Sequence, residues 1–406
     1  MTRSARQINT PTVLLLGNRR QSLTVIRSLA KDGWKIIAAV NKGDDRNYHA
    51  HRSRYVSGVW EHDDYRDHPF LFGKQLTEFL DQHPNVTTVF PVDEASIRTV
   101  HKMRDELAQR VTLVLANEEA ISTCLNKSKM LELCRLAGVK IEPFREINNV
   151  AALGEACEEV GYPCVIKPLD EETIWFGTKV AIVNDHKELE ATTVRLKGST
   201  RRLLVQRLAT GPRHNVYFAA RDGEVIGSVE VRIERTDRSD GTGLAVTGQT
   251  IRPRPALLHD TKTIVEALGY SGVGCAQFIV CPETNRRCFL EMNPRLGANF
   301  AVVHYAGLAL ASLAERIAAG ELVHVSRDYI EGYRFAWTYG ELAGLRFEIR
   351  NSTIPMLSAA SRMARCILSA LSCHRHITWL WGDPLPTLLE FRRGLFSKSK
   401  SSPPNT

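Results

Sequence analysis

Short apolar runs alternate with helical patterns over the first part of the chain. The runs predict strands at 13–16, 36–40, 86–91 and 111–116. Between them, Ile26, Leu29 and Ala30 mark the apolar face of one helix, and further helices are predicted at 73–81 and 94–109. Strands that alternate with helices are typical of a parallel, doubly wound sheet, so we predict a Rossmann-like domain over residues 1–117.

The pattern becomes mixed after residue 117. A helix at 128–137, strands at 164–168, 179–183 and 203–206, and a helix at 187–196 predict one lobe over residues 118–205. A second lobe over residues 206–320 is indicated by a hairpin that turns at Asp222 and Gly223, a helix at 260–268, a further hairpin and an Ala-rich helix at 301–318. The predicted fold class is therefore α/β and α+β, in several domains.

A basic extension over residues 321–406 differs from the rest, with 11 Lys and Arg against 7 Asp and Glu. A helical apolar stripe is predicted within 355–371, at Leu357, Ala360, Ala364, Ile367 and Leu371. The stripe could pack on the two lobes, or it could lie on an anionic membrane as a peripheral contact. We favour packing, because Trp379 and Trp381 beside two prolines are typical of a fixed loop.

Composition narrows the function classes. The chain has 406 residues and a net charge of +8, a modest excess that suits an anionic ligand or an acidic membrane surface and does not require nucleic acid. Nine scattered cysteines without a C-x-x-C pair argue against a disulfide framework or a zinc site. The N-terminal apolar run is too short for a secretory signal. We expect a cytoplasmic protein, and leave a homodimer open.

The turn after the first strand lacks the glycine pattern of a dinucleotide-binding site. Gly17 stands where the fingerprint needs three glycines, and Arg19 and Arg20 would crowd an approaching pyrophosphate. We therefore expect a structural domain here.

The strongest chemical signal is a cluster on two strands predicted to form a hairpin. If those strands pair, Gln277 and Glu291 point at one site, and Asn293 leaves the same face as Glu291 because the two are two residues apart. Such oxygen ligands suit Mg²⁺, and Arg295 adds a positive fork for a phosphoryl group. The alternative is that Glu291 and Arg295 form a structural ion pair on a strand edge.

Two lysines and a polar strand accompany this cluster. Lys127 opens a helix, and Lys167 ends an apolar strand, where a buried charge is costly unless an anion meets it. A solvated strand-end lysine is the alternative for either residue. The strand that contains Gln206 would place backbone groups beside a flat base.

In this order of motifs the chain resembles the ATP-grasp superfamily over about residues 12–320, most specifically at EMNPR. The resemblance implies two lobes that clamp ATP. Lys127 and Lys167 would hold the α- and β-phosphates, and Gln206, Arg207 and Leu208 would line the adenine. Gln277, Glu291 and Asn293 would bind Mg²⁺ or Mn²⁺, and Arg295, with Lys167, would act in catalysis.

Two segments depart from the family pattern. The flap after the second lysine is usually rich in glycine, but DEETIWFGTKV has only Gly177, so Lys179 is expected to contribute instead. The usual ribose carboxylate is missing, and Asn215 is the nearest polar substitute.

The resemblance implies a carboxylate–amine ligase that activates a carboxylate as an acyl phosphate for attack by an amine. Similarity of the entry domain to D-aspartate ligase favours an amino-acid-like substrate, and Arg232, Arg235, Arg252 and Arg254 are candidates to recognise it. An ATP-binding protein without ligase turnover, and a peripheral membrane or assembly protein acting through the basic tail, are the alternatives.

Overall fold

The computed structural model describes residues 10–43, 49–169, 180–196, 201–326 and 328–396. These residues form three β-sheets of five, four and seven strands, with helices packed around them. Within these ranges, no helix combines the length and the apolar character needed to cross a membrane. All nine cysteines are free thiols. The mixed α/β and α+β fold class is confirmed.

The first sheet is parallel, with the strand order β3-β2-β1-β4-β5. Its elements are β1 (Thr12–Leu16), α1 (Arg20–Lys31), β2 (Lys35–Asn41), β3 (Gly58–His62), α2 (Pro69–Gln82), β4 (Val86–Pro91), α3 (Glu94–Lys102), α4 (Arg104–Ala108), β5 (Thr112–Leu113) and α5 (Glu118–Cys124). The hydrophobic pattern missed β3, whose burial alternates as it does in an edge strand. The helix predicted at 94–109 is divided at Met103.

The turn between β1 and α1 is filled by protein side chains. Gly17 has a φ of 95°, and a Cβ there would lie 3.1 Å from the carboxyl group of Asp93. Asp93 is buried, pairs with Arg19 at 3.1 Å and accepts a hydrogen bond from Tyr65 at 2.9 Å. Side chains of the first domain thus occupy the space beside this turn.

The second sheet is antiparallel, with the order β6-β9-β7-β8. It contains β6 (Phe144–Ile147), β7 (Cys164–Pro168), β8 (Ala181–Val183) and β9 (Leu203–Arg207), with helices α6 (Lys127–Leu136), α7 (Leu153–Val160) and α8 (His186–Leu196). One face packs its apolar side chains, among them Ile166 and Val205, against α7 and α8. The opposite face is left to line a cleft.

The third sheet begins with five antiparallel strands. They are β10 (Arg213–Arg221), β11 (Glu224–Thr236), β12 (Ala245–Ile251), β13 (Gly272–Val280) and β14 (Arg287–Asn293), with helices α9 (Pro255–Ala267), α10 (Ala301–Ala306) and α11 (Leu310–Ala318). The predicted turn at Asp222 and Gly223 has both residues at positive φ, as a tight hairpin requires. The single helix predicted at 301–318 is wrong, because Gly307, at a φ of 129°, separates α10 from α11.

The C-terminal extension completes the third sheet and contacts the first domain. It contains β15 (Arg334–Ala336), α12 (Thr338–Arg350), α13 (Met356–Ser372), β16 (Arg375–His376) and α14 (Leu385–Phe396). β15 pairs with β12, and β16 pairs with β15. Asp383 forms a buried ion pair with Arg27 at 3.0 Å and accepts a hydrogen bond from Ser53. The loop after the two tryptophans is therefore fixed to the first domain, but Trp381, predicted to belong to a packed loop, is 85% exposed.

The predicted packing of the apolar stripe on α13 is wrong. Leu357, Ile367 and Leu371 are 85%, 52% and 81% exposed, whereas Arg362 and Cys366 face the protein. Arg362 pairs with the buried Glu348 and donates to the carbonyl of Thr236 at 3.1 Å. The inward side of the helix is thus formed by Ala359, Arg362 and Cys366, with the ion pair of Arg362 at its centre.

Candidate functional site

A cavity of about 910 Å³ lies between the second and third sheets. This volume is within the range of small-molecule sites. Ten of the eleven residues predicted for the site line it: Lys127, Lys167, Gln206, Arg207, Leu208, Asn215, Gln277, Glu291, Asn293 and Arg295. The eleventh, Lys179, lies outside the described residues, as does the flap at 170–178.

The floor of the cavity is one face of the third sheet. The register sets Asn215 opposite Gln277, and Gln277 opposite Glu291 on the next strand. The hairpin on which the prediction depended is thus present. The Nδ2 of Asn293 donates to Oε1 of Glu291 at 3.0 Å, so these two side chains share a face as their spacing indicates. Strand pairing therefore brings together residues from three separate stretches of sequence.

Two lysines approach this floor from the other side of the cleft. Lys127 is the first residue of α6, and its Nζ donates to the carbonyl of Pro168 at 2.9 Å. Lys167 lies on β7, and its Nζ donates to Oε1 of Gln206 on the adjacent strand at 3.1 Å. Both ammonium groups thus lie near the end of β7, on the cavity side of the second sheet.

The charges of the cleft act on one another. Burial lowers the pKa of Lys167; Glu291 opposes this shift and Lys127 reinforces it. Removal of water would by itself raise the pKa of Glu291. The hydrogen bond from Asn293 and the lysine charges outweigh that effect and hold the pKa of Glu291 below its usual value. Glu291 is therefore an anion at neutral pH.

The donor set fits a hard divalent cation shared with phosphates. Gln277, Glu291 and Asn293 offer one carboxylate and two amide groups, and Mg²⁺ commonly takes one or two carboxylates and completes its shell with water and phosphate oxygens. Within the described ranges, no group of three or more His, Cys, Asp or Glu is placed to hold a metal. One carboxylate and two amide groups suit a cation that completes its shell with the oxygens of a phosphorylated ligand.

The strand predicted to flank the base has its amides already engaged. The backbone N–H of Arg207 donates to Pro143, and that of Leu208 donates to Pro163, each at 2.9 Å. Polar contacts to a base would then come from backbone carbonyls or from side chains such as Gln206, which is buried.

Several lining residues were not singled out from the sequence. Arg213 and Tyr217 lie on β10 at two-residue spacing from Asn215, so strand alternation could have found them. Asn299 and the helix residues Arg362 and Arg365 also line the cavity, and no local pattern places them there. Among the described residues, Oδ1 of Asn215, Oδ1 of Asn299 and Nε of Arg213 have no hydrogen-bond partner in the protein.

The four candidate substrate arginines separate into two groups. Arg235 lines the cavity but makes a two-pronged ion pair with Glu341 at 2.9 and 3.0 Å. Arg232, Arg252 and Arg254 are not among the lining residues, and the backbone N–H of Arg254 donates to Glu230 at 2.7 Å. Recognition of a substrate by Arg252 and Arg254 is therefore not supported.

Residues 126–325 match the family described as carbamoyl-phosphate synthase L chain, ATP binding domain. Over 260 residues the chain is 27% identical to the carbamoyl phosphate synthase large chain of Thermotoga petrophila, covering 59% of this chain and 23% of that protein. The chain thus spans less than a quarter of that relative's length.

Solved structures share the fold of most of the chain. The biotin carboxylase domain dimer of the 2-oxoglutarate carboxylase from Hydrogenobacter thermophilus, solved with MgADP, ADP and bicarbonate, has a TM-score of 0.62 and 18% identity, covering 79% of this chain and 72% of that one. The L-amino acid ligase from Bacillus licheniformis has a TM-score of 0.62 and 14% identity, covering 77% and 76%. The chain is thus similar in sequence to this ATP-binding family and in fold to these enzymes, as its resemblance to the ATP-grasp superfamily implies.

Proposed function

We propose that the protein is an ATP- and Mg²⁺-dependent ligase that activates a carboxylate as an acyl phosphate for attack by an amine. The observation that carries this proposal is the single cavity that gathers two lysines from one sheet and a carboxylate–amide cluster from the other. The family match and the nucleotide complex of a structural neighbour support ATP as the phosphoryl donor.

The roles follow from position and charge. Lys127 and Lys167 neutralise the α- and β-phosphates, and Arg295 binds the γ-phosphate. Gln277, Glu291 and Asn293 hold Mg²⁺ or Mn²⁺, which withdraws charge from the phosphate oxygens. The adenine is placed against residues 206–208, and Asn215, on the floor of the cavity, contacts the ribose.

The chemistry needs positioning more than reactive side chains. A carboxylate oxygen of the substrate forms a bond to the γ-phosphorus, and the bond from that phosphorus to the β-phosphate bridge breaks, releasing ADP. The amine nitrogen then forms a bond to the acyl carbon, the carbon–oxygen bond to phosphate breaks, and phosphate and one proton leave. Arg295 and Lys167 stabilise the charge that develops on the phosphoryl oxygens.

The substrate end of the cavity favours an amino acid or a similar small acid. Arg213 presents a cationic Nε without a protein partner, which suits a carboxylate. The amide oxygen of Asn299 has no donor in the protein, and an ammonium group supplies one. That a structural neighbour is an L-amino acid ligase supports the same class.

Trapping of the acyl phosphate with hydroxylamine tests the proposal. The full chain is incubated with ATP, Mg²⁺ and panels of amino acids, and hydroxamate and ADP are measured. We expect substrate-dependent hydroxamate, reduced at least about 100-fold in Glu291→Gln. Glu283→Gln, on the exposed turn between β13 and β14, is the matched control and should retain full activity.

Two outcomes contradict the proposal in different ways. Binding of ATP·Mg²⁺ without hydroxamate from any acid, by a protein whose Glu291→Gln variant no longer binds, would leave the nucleotide-binding alternative without ligase turnover. Unchanged turnover in Glu291→Gln would contradict the assignment of the metal cluster.

A homodimer is proposed by likeness to the dimeric carboxylase domain, and light scattering of the full chain measures its oligomeric state.

A further inference from the structure

The C-terminal extension exposes an unusual share of apolar surface. Among the described residues, eighteen large hydrophobic side chains are exposed, and ten of them lie within residues 349–388. Scattered exposed hydrophobics are normal, but a contiguous group marks a surface that another phase or partner covers.

Most of this surface belongs to one face of α13. The face is formed by Met356, Leu357, Met363, Ile367, Leu368 and Leu371, which are 39–85% exposed. At about 100° per residue, they and the small exposed Ala360 and Ala364 fall in one arc of about 140°. Arg362 and Cys366, which are buried, lie on the opposite side of the helix. The apolar face of α13 is therefore continuous over the length of the helix and directed away from the protein.

The stretch of sequence that contains this face carries charge of one sign. Residues 349–382 contain four arginines and no aspartate or glutamate, and no acidic residue follows Glu390 in the sequence. Arg350, at the end of α12, and Arg365, which also lines the cavity, are exposed, and Trp381 is 85% exposed. An amphipathic helix with a continuous exposed apolar face and exposed arginines on and just before it has the chemistry of an interfacial helix on anionic lipid.

We propose that the apolar face of α13 binds the surface of an anionic lipid bilayer. The apolar side chains enter the boundary between headgroups and acyl chains, and the arginines contact lipid phosphates. A second copy of this chain is the competing occupant. An isologous contact would place the same exposed arginines near one another, which like charges oppose and anionic lipid does not.

Vesicle sedimentation of the full chain tests this inference independently of any ligase activity. Phosphatidylcholine vesicles with and without about 30% phosphatidylglycerol are compared at about 0.1 M and about 0.5 M NaCl. We expect binding to the anionic vesicles, weakened at the higher salt concentration. Ile367→Glu/Leu371→Glu should weaken binding at least about tenfold.

A matched control carries the same added charge at two other exposed hydrophobic positions, Val194→Glu/Leu322→Glu, which are 72% and 81% exposed in the native chain. It should bind vesicles like the native protein. Absence of binding to anionic vesicles, equal binding to neutral vesicles, or full binding by Ile367→Glu/Leu371→Glu would overturn the proposal. Self-association that is lost in that variant, without vesicle binding, would assign the face to a second copy instead.

Discussion

The floor of the cavity and helix α13 are both amphipathic, but they bury opposite sides. On β13, Ala276 and Phe278 are fully buried behind the sheet, while Gln277 faces the cavity. On α13, Arg362 is buried and Leu371 is 81% exposed. In the strand the apolar residues form the core, whereas in the helix a charged residue faces the protein.

The difference shows which interactions determine the face of a strand or helix that is buried. A strand within a sheet has its side chains set alternately by pairing, so the hydrophobic pattern decides which face packs. A surface helix can instead be oriented by a few specific polar contacts. Here Glu348 and the carbonyl of Thr236 bind the guanidinium of Arg362, and the apolar stripe is left outward.

Removal of Arg362 tests directly whether its ion pair orients α13. Arg362→Ala leaves the buried carboxylate of Glu348 without its cation, so we expect a loss of about 3–5 kcal/mol in the free energy of unfolding, measured in urea. Arg365→Ala, an exposed arginine on the same helix, should cost less than about 0.5 kcal/mol.

The double variant Arg362→Met/Glu348→Gln separates the charge from the packing. It removes both ions and should recover most of the lost stability. Equal losses in Arg362→Ala and Arg365→Ala would show that the ion pair does not orient α13.

The extension also buries Glu390, which gives a pH dependence. Burial raises the pKa of Glu390 to about 8, against the opposing charge of Arg20. Between its ordinary pKa of 4.5 and about 8, the folded state holds a proton that the unfolded state has released. The free energy of unfolding should therefore fall as pH rises through this window, by at most about 1.4 kcal/mol per pH unit.

Glu390→Gln should remove this slope and stabilise the protein most at about pH 8. Thermal unfolding of both proteins from about pH 5 to pH 9 measures the effect. Parallel curves for the two proteins would show that Glu390 does not titrate on unfolding.

A substitution at Lys167 tests whether this residue of the cavity binds phosphate. Lys167→Met should weaken ATP·Mg²⁺ binding about tenfold, measured by calorimetry, because a phosphate-neutralising cation is lost. Burial already opposes the charged form, so the free energy of unfolding without nucleotide should be unchanged or higher. Lys187→Met, at an exposed position on α8, is the control. Normal affinity with a large loss of stability would assign Lys167 a structural role.

The sequence predicted the parts of the molecule that depend on local pattern. Spacing on adjacent strands was enough to bring Gln277, Glu291 and Asn293 together, and a strand-end lysine was enough to locate Lys167. Arg362 and Asn299 were not predicted, because their presence in the cavity depends on how distant elements pack. The same reason explains the error on α13, since Glu348 selects the buried side and no periodicity reveals that pairing.

Substitutions on the exposed apolar face of α13 should have the smallest effect on the free energy of unfolding, and they test directly whether this face packs against the protein. Leu357→Ser/Leu371→Ser replaces two side chains that are 85% and 81% exposed, so little buried area is lost. We expect the free energy of unfolding to change by less than about 0.5 kcal/mol. Leu345→Ser, on the buried side of α12, removes a side chain that is 2% exposed and should cost about 2–5 kcal/mol. If the double variant instead lost as much stability as Leu345→Ser, the apolar stripe would have to pack against the protein, and the polar contacts of Arg362 could not be what orients the helix.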